Sequence, residues 1–169
     1  GRNGGQVHSG QRRDQIWLER TVGKDDARKL WDLSEAAKDL VRERIARHAI
    51  ACDWTDGLIG AAHTDAALDE ERAMVDHMAA VYGVDCLTML DRTEIEAAVG
   101  SKRFAGGYRD ASAGHLNPLA LAAGLCQAAV AAGARVFEAS EVMRLDPGQN
   151  GRRIVRTAST RVDAETVVL

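Results

Sequence analysis

A mixed α/β fold is what this sequence predicts, on three observations. Apolar residues recur every three to four positions between residues 25 and 51. Asn117-Pro118 opens a second, almost wholly apolar stretch that ends at Gly133. Between and after these lie short strand-like runs set off by glycine and proline turns.

Taken in order, the opening GRNGGQVHSGQRR is polar and carries four glycines in its first ten residues. It reads either as a loop that brings backbone close to a ligand or as a mobile end, and residue chemistry alone favours the mobile end. The first helix is predicted over Asp25 to Ala51, where Leu30, Leu33, Ala37, Leu40/Val41, Ile45 and Ala49 form one apolar stripe. Its alternating acids and bases read as a solvated face. Cys52 to His63 reads as a strand or hairpin around Gly57 and Gly60. A second helix is predicted over Asp65 to Tyr82 and stops at Gly83. Cys86 to Leu90 is a short strand, and Thr93 to Glu96 has the spacing of a capping box for a brief helix that ends at Gly100.

Phe104 to Tyr108 reads as extended and Asp110 to Gly114 as a loop. Asn117 can accept the first orphan N–H bonds of a helix, and Pro118 at the first helical position sacrifices none. The helix Pro118 to Ala132 is so apolar that burial on more than one face is expected. Arg135 to Ala139, Val142 to Leu145, Arg152 to Thr157 and Thr166 to Leu169 read as strands, with a turn at Pro147 to Gly151 and a βαβ-like unit around 118–139.

Composition narrows the function classes. The chain has 169 residues, enough for one ordinary domain. With 29 alanines and 4% aromatic residues, its core must be close-packed from small side chains. A net charge of −3 gives no basic field for nucleic acid or an anionic membrane. No apolar run reaches the ~20 residues that span a bilayer. Cys52, Cys86 and Cys126 are odd in number and form no CxxC pair, so they read as three small buried hydrophobes. No signal peptide or Arg-rich transit segment opens the chain, and a reducing cytoplasm is expected.

Residue by residue, the chemistry is sparse. Neither G-x-G-x-x-G nor G-x-x-x-x-G-K-[ST] occurs, and no histidine pair has metal-ligand spacing, so no metal is expected. His48 and His77 read as solvated helix residues, His8 and His115 as loop residues that bond backbone, and Asp69-Glu70-Glu71 as a solvated acidic face.

Several segments together carry a resemblance. Gly1 to Gln6, Cys52-Asp53-Trp54 leading to Gly57, Gly106-Gly107-Tyr108 through Gly114-His115-Leu116-Asn117-Pro118, Ala132-Gly133-Ala134 with Val136-Phe137-Glu138 and Val142, and Val167-Val168-Leu169 stand in order along the chain. In that order and spacing the chain resembles FAD-dependent amine and amino-acid oxidoreductases of the D-amino-acid-oxidase type, nearest the gamma-glutamylputrescine oxidoreductase branch. The resemblance implies a partial FAD-binding domain of the doubly wound type with part of an inserted substrate domain. Segments 1–51 and 110–169 would belong to the flavin-binding domain, and 52–109 to the substrate domain.

It also implies roles. Arg2, Asn3, Gly4, Gly5 and Gln6 match the loop that passes along the flavin, and Val142 matches the position whose backbone bonds the adenine edge. No catalytic residue is assigned. The implied reaction is hydride transfer from an amine-bearing carbon to FAD, with hydrolysis of the imine and reoxidation by dioxygen or another acceptor. The implied partner is a small-molecule amine of the gamma-glutamylputrescine kind. The alternatives are a sarcosine or glycine type of amino-acid oxidase, or a non-catalytic α/β binding module. Because the family's first dinucleotide-binding unit and its C-terminal portion have no counterpart here, the chain reads as an internal fragment, inactive by itself.

Overall fold

Helix formation begins earlier than the apolar stripe indicates. In the computed structural model, which describes residues 3–168, helix α1 spans Gln15–Val22 and α2 spans Lys24–Arg47. Asp14 caps α1 by accepting the Trp17 N–H at 2.8 Å, a signal the stripe search passed over. Gly23 separates the two helices, and α2 closes at His48 ahead of Ala49, whose φ of 49° lies in the left-handed region. The helix therefore stops short of Ala51.

The chain divides into two units, Gly1–Ala128 and Ala129–Leu169. The first is organised on one antiparallel sheet in which β1 (Gln6–Val7), β2 (Thr55–Ala62) and β3 (Leu87–Leu90) all pair with β4 (Gly106–His115). β4 runs through both the predicted extended segment and the predicted loop at 110–114. Its glycines mark close approach, not a break. A Cβ on Gly107 would stand 2.1 Å from the Gly60 carbonyl oxygen, and one on Gly114 would stand 2.4 Å from the Trp54 ring. A bulge between Asp56 and Leu58 shifts the β2–β4 register by two residues, the extra ones on β4.

Helix α3 (Asp65–His77) continues into a π-turn, Met78–Tyr82, and ends at Gly83 as expected. Helix α4 (Arg92–Val99) is capped by Asp91, which pairs reciprocally with Glu94. The capping box therefore stands two residues ahead of the Thr93–Glu96 pair. Asn117 caps α5 (Pro118–Ala131) as predicted, accepting from the Leu119 and Ala120 N–H groups at 3.1 Å each.

The apolar content of α5 does not translate into burial. None of its residues is buried, and Leu119 is 75% exposed. Ala120 and Leu121 pack against a core of Ile50, Cys52 and Leu116, while Gly124 faces Ile50 so closely that a Cβ would stand 2.4 Å from it. One face alone finds a partner. Of the three cysteines only Cys52 is buried; Cys86 is intermediate and Cys126 exposed, all as free thiols.

The second unit is a three-stranded antiparallel meander of β5 (Arg144–Pro147), β6 (Arg153–Arg156) and β7 (Arg161–Ala164). Residues 135–139 and 166–168 form no strand, and β5 starts two residues after Val142. Strands exist only where a neighbour completes the ladder, and no described strand lies beside 135–139. The βαβ-like unit consequently does not form.

Candidate functional site

The opening loop is built, not loose. Gly5 is buried with φ +80°, and a Cβ there would lie 2.0 Å from the Leu116 carbonyl oxygen, which only glycine permits. The loop is pinned from both sides: Asn3 Oδ1 accepts the Gly5 N–H at 2.6 Å, and the Gly5 carbonyl accepts the Leu116 N–H at 2.9 Å. Gln6 and Val7 then add a short strand against His115 and Gly114. Farther along, Gly10 N–H donates to Ser34 Oγ at 2.9 Å, and Lys38 Nζ donates to Ser9 Oγ at 2.7 Å. The mobile-end alternative does not hold for the described part of this segment.

Asn3, Gly5 and Gln6 edge a groove of about 760 Å³ whose opposite walls are α2 and α5, with Leu33, Ala37, Leu119 and Leu125 among its lining. Gly4 is exposed, with nothing within 4 Å of a Cβ placed on it. Arg2 lies outside the described residues. Val142 belongs to the second unit, where it is exposed and precedes β5 in irregular backbone; the strand setting expected for it is absent because Arg144 is the first residue to join the ladder.

A second cleft, of about 360 Å³, lies on the other side of the loop. Its floor is the β2–β4–β3 sheet, represented by Ile59, Gly60, Leu87, Tyr108 and Asp110, and its walls include Trp31, Met74 and Met78. Gly60 makes room for the Tyr108 ring, since a Cβ there would stand 2.4 Å from Cε1. Burial raises the Tyr108 phenol above its ordinary range, and the charges of Glu71 and Asp110 push the same way. Asp110 Oδ1 accepts from Ser112 N–H and Ser112 Oγ–H at 2.8 Å each, and from Ala113 N–H at 3.1 Å. Lys38, 3% exposed, donates to Ser112 Oγ at 2.8 Å and so links the loop, α2 and β4.

Beside this cleft, α1 is fastened to the π-turn. Glu19 Oε1 lies 2.8 Å from both His77 Nε2 and the Tyr82 hydroxyl, and Gln15 Nε2 donates to Tyr82 at 2.9 Å. Burial works to raise the Glu19 carboxyl, but the His77 and Tyr82 hydrogen bonds outweigh it and hold the group below its usual range. His77 is thus engaged and not merely solvated. Glu71 is not a plain surface acid either: one of its carboxylate oxygens is buried without a partner, and burial raises its pKa. His8 is exposed, with Nδ1 2.9 Å from the Ser9 carbonyl; His115 stands on β4, not in a loop.

Of the predicted residues, Asn3, Gly5 and Gln6 come together at the groove, and Val142 lies in the other unit. Sequence reasoning passed over Gln15, Lys38, Tyr108 and Asp110. Tyr108 had a readable signal: glycine inside a strand indicates a large neighbour close by. Among the described residues no group of three or more His, Cys, Asp and Glu is placed to hold a metal ion, and no helix is long and apolar enough to cross a membrane.

This arrangement of sheet, long helix and loop recurs in flavoenzymes. Glycine oxidase from Geobacillus kaustophilus superposes with a TM-score of 0.69 at 20% identity, covering 96% of this chain and 42% of that one. L-Amino acid deaminase from Proteus myxofaciens gives a TM-score of 0.69 at 17% identity, covering 96% and 35%. The fold is that of D-amino-acid-oxidase-type oxidoreductases. The sequence profile of the DAO family, FAD dependent oxidoreductase, matches residues 1–169, and the chain belongs to that family. Among curated relatives, gamma-glutamylputrescine oxidoreductase of Escherichia coli is 36% identical over 172 residues, and the probable oxidoreductase OrdL of Haemophilus influenzae is 33% identical over 169. Each match takes in all of this chain, which spans 39% of the length of either relative.

Proposed function

We propose that this chain is the part of a flavin-dependent amine oxidoreductase that supplies the flavin-side loop and the sheet facing the substrate, and that the substrate is a gamma-glutamylated amine. The observation that carries this reading is the 36% identity, across the whole chain, to a gamma-glutamylputrescine oxidoreductase. In this reading segments 1–51 and 110–169 serve the flavin-binding domain and 52–109 the substrate domain. The compartment is the cytoplasm, and the partner is a small-molecule amine.

The residues present fit FAD on one side. Gly5 crosses Leu116 so closely that the loop faces the groove as bare main chain, and bare main chain can approach a phosphate or ring edge where a side chain would intervene. Arg2, Asn3, Gly4, Gly5 and Gln6 are the residues proposed to hold the flavin, and Val142 the one proposed to meet the adenine through its backbone. When bound, FAD would supply the two-electron acceptor for a hydride leaving the carbon that bears the primary amine, while the nitrogen loses a proton and water hydrolyses the imine to an aldehyde and ammonia. The chain's own part is positional. Asn3 and Leu116 fix the path of Gly5 by two hydrogen bonds, and Lys38 fixes Ser9 against Ser112. The loop between groove and cleft is thereby held at one level relative to β4.

The test uses the flavin-loaded protein that carries this chain. Anaerobic bleaching of the flavin absorbance is followed with gamma-glutamylputrescine, sarcosine and glycine. Bleaching by the gamma-glutamyl amine faster by at least about ten-fold is expected. Faster bleaching by sarcosine or glycine reassigns the protein to amino-acid oxidation, and no bleaching by any amine overturns the reading.

A further inference from the structure

The cleft over β2–β4–β3 holds more acceptors than its own donors satisfy. Gln15, 5% exposed, lines it and has an Oε1 that is buried with no hydrogen-bond partner. Its amide cannot be turned round, because Nε2 donates to the Ala27 carbonyl at 2.6 Å and a carbonyl only accepts. Outside that lining, Glu71 has a buried carboxylate oxygen without a partner, and its charge acts on Tyr108. Asp110 has Oδ1 fixed by three donors, while no described donor bonds its other oxygen. The nearest buried cation does not cancel this charge: Lys38 is already paired with Glu35 at 3.0 Å.

The apolar walls suit a cation as well. Trp31, Tyr108, Met74 and Met78 line it, and an ammonium is attracted to aromatic rings through their quadrupoles. Two arginines share the cleft. Arg13 is drawn over the Trp17 ring at 5.5 Å, whereas Arg12 lines the cleft as a partner for a carboxylate. One carboxylate partner and one ammonium partner together match an α-amino acid head, not a plain diamine.

We infer that this cleft binds the amino-acid head of a gamma-glutamyl amine, with Asp110 as the partner of its α-ammonium between Trp31 and Tyr108. The inference rests on the proposed substrate class, and it makes Asp110 a specificity-determining residue for that class. The nitrogen it holds is distinct from the one oxidised. The Lys38–Ser112–Asp110 chain of hydrogen bonds keeps the carboxylate in place before the substrate arrives.

The experiment compares gamma-glutamylputrescine with N-glutarylputrescine, which keeps the carboxylate and lacks the α-amino group, on the flavin-loaded protein and its Asp110→Asn variant. Asparagine retains an oxygen for the Ser112 and Ala113 donors, and circular dichroism checks that the variant is folded. The expected result is a KM for the gamma-glutamyl compound raised roughly 10- to 100-fold, with the KM for the glutaryl compound unmoved. A shift common to both compounds, or none, overturns the inference. Binding of both compounds is also measured calorimetrically, without turnover. If the wild type oxidises neither compound yet binds the gamma-glutamyl one more tightly, and Asp110→Asn abolishes that preference, the site stands and the proposed reaction falls. If turnover is normal and the preference survives the substitution, the reaction stands and the site falls.

Discussion

The two units treat their apolar residues in opposite ways. In Gly1–Ala128 a strongly charged helix, α2, buries Ala27, Ser34 and Lys38, and the β4-centred sheet has a core against which helices lie. In Ala129–Leu169 no described residue is buried, although Val136, Phe137, Val142 and Met143 are all apolar. Its meander is held instead by ladder hydrogen bonds and by exposed ion pairs, Arg152 with Asp163 at 2.5 Å and with Glu165 at 3.0 Å. Hydrophobic residues stabilise only when a second surface removes them from water. Exposed ion pairs contribute little, because water screens them.

The sharpest way to break the contrast is to truncate one apolar side chain in each unit. Ile95→Ala removes a fully buried side chain and should cost about 3–4 kcal/mol, whereas Val162→Ala, at a site 48% exposed, should cost about 0.5 kcal/mol. Denaturant unfolding of each variant gives both values, and equal losses would erase the distinction between the units. Next in size, Gly5→Ala should cost about 3 kcal/mol, because φ is +80° and the new methyl would overlap the Leu116 carbonyl. The same methyl on Gly133, where nothing lies within 4 Å, meets only the backbone preference and should cost about 1 kcal/mol. Thermal melts of the two alanine variants measure the difference. Asp91→Ala, which removes the acceptor for the Thr93 and Glu94 N–H groups and leaves the backbone N–H of residue 91 on Glu94, should lower stability by about 1 kcal/mol.

The smallest effect expected is one of pH in the second unit. Hydrogen bonds from Arg144 and Arg156 hold the Asp146 carboxyl below its ordinary range. A depressed carboxyl stabilises the fold at pH values above its unfolded pKa, and that contribution fades as pH falls through the lowered folded value. An NMR titration of the Asp146 carboxyl should show the low midpoint, and Arg156→Gln should move it back toward the ordinary one.

What the sequence made legible follows from how local each signal is. The Asn117-Pro118 start of α5, the span of α3 and its stop at Gly83 depend on neighbours in the chain and were readable. β4 was readable only at its start: 104–108 reads as extended, but Asp110 to Gly114 reads as a loop until the β2 backbone and the Trp54 ring that crowd Gly114 are known. The second unit misled for the converse reason: runs such as 135–139 have strand chemistry but no adjacent strand. At the site, glycine at position 5 pointed to the loop, whereas Asp110 and Gln15 gained their meaning from residues tens of positions away, Lys38 through Ser112 and Tyr82.

The π-turn at Met78–Tyr82 makes the chain's length locally critical. A π-turn takes in one residue more than an α-helix covering the same distance. Deleting a single residue there would restore a regular helix and leave Tyr82 close to its present place, whereas adding one would turn everything beyond it by about 100° around the axis. With a residue added, Tyr82 would swing away from Glu19 and Gln15, and α1 would lose its tie to the wall of the cleft that holds Met74 and Met78. Substitutions in this stretch can be absorbed one side chain at a time, and the loss of one codon triplet as a regular helical turn, but the gain of one would break that tie.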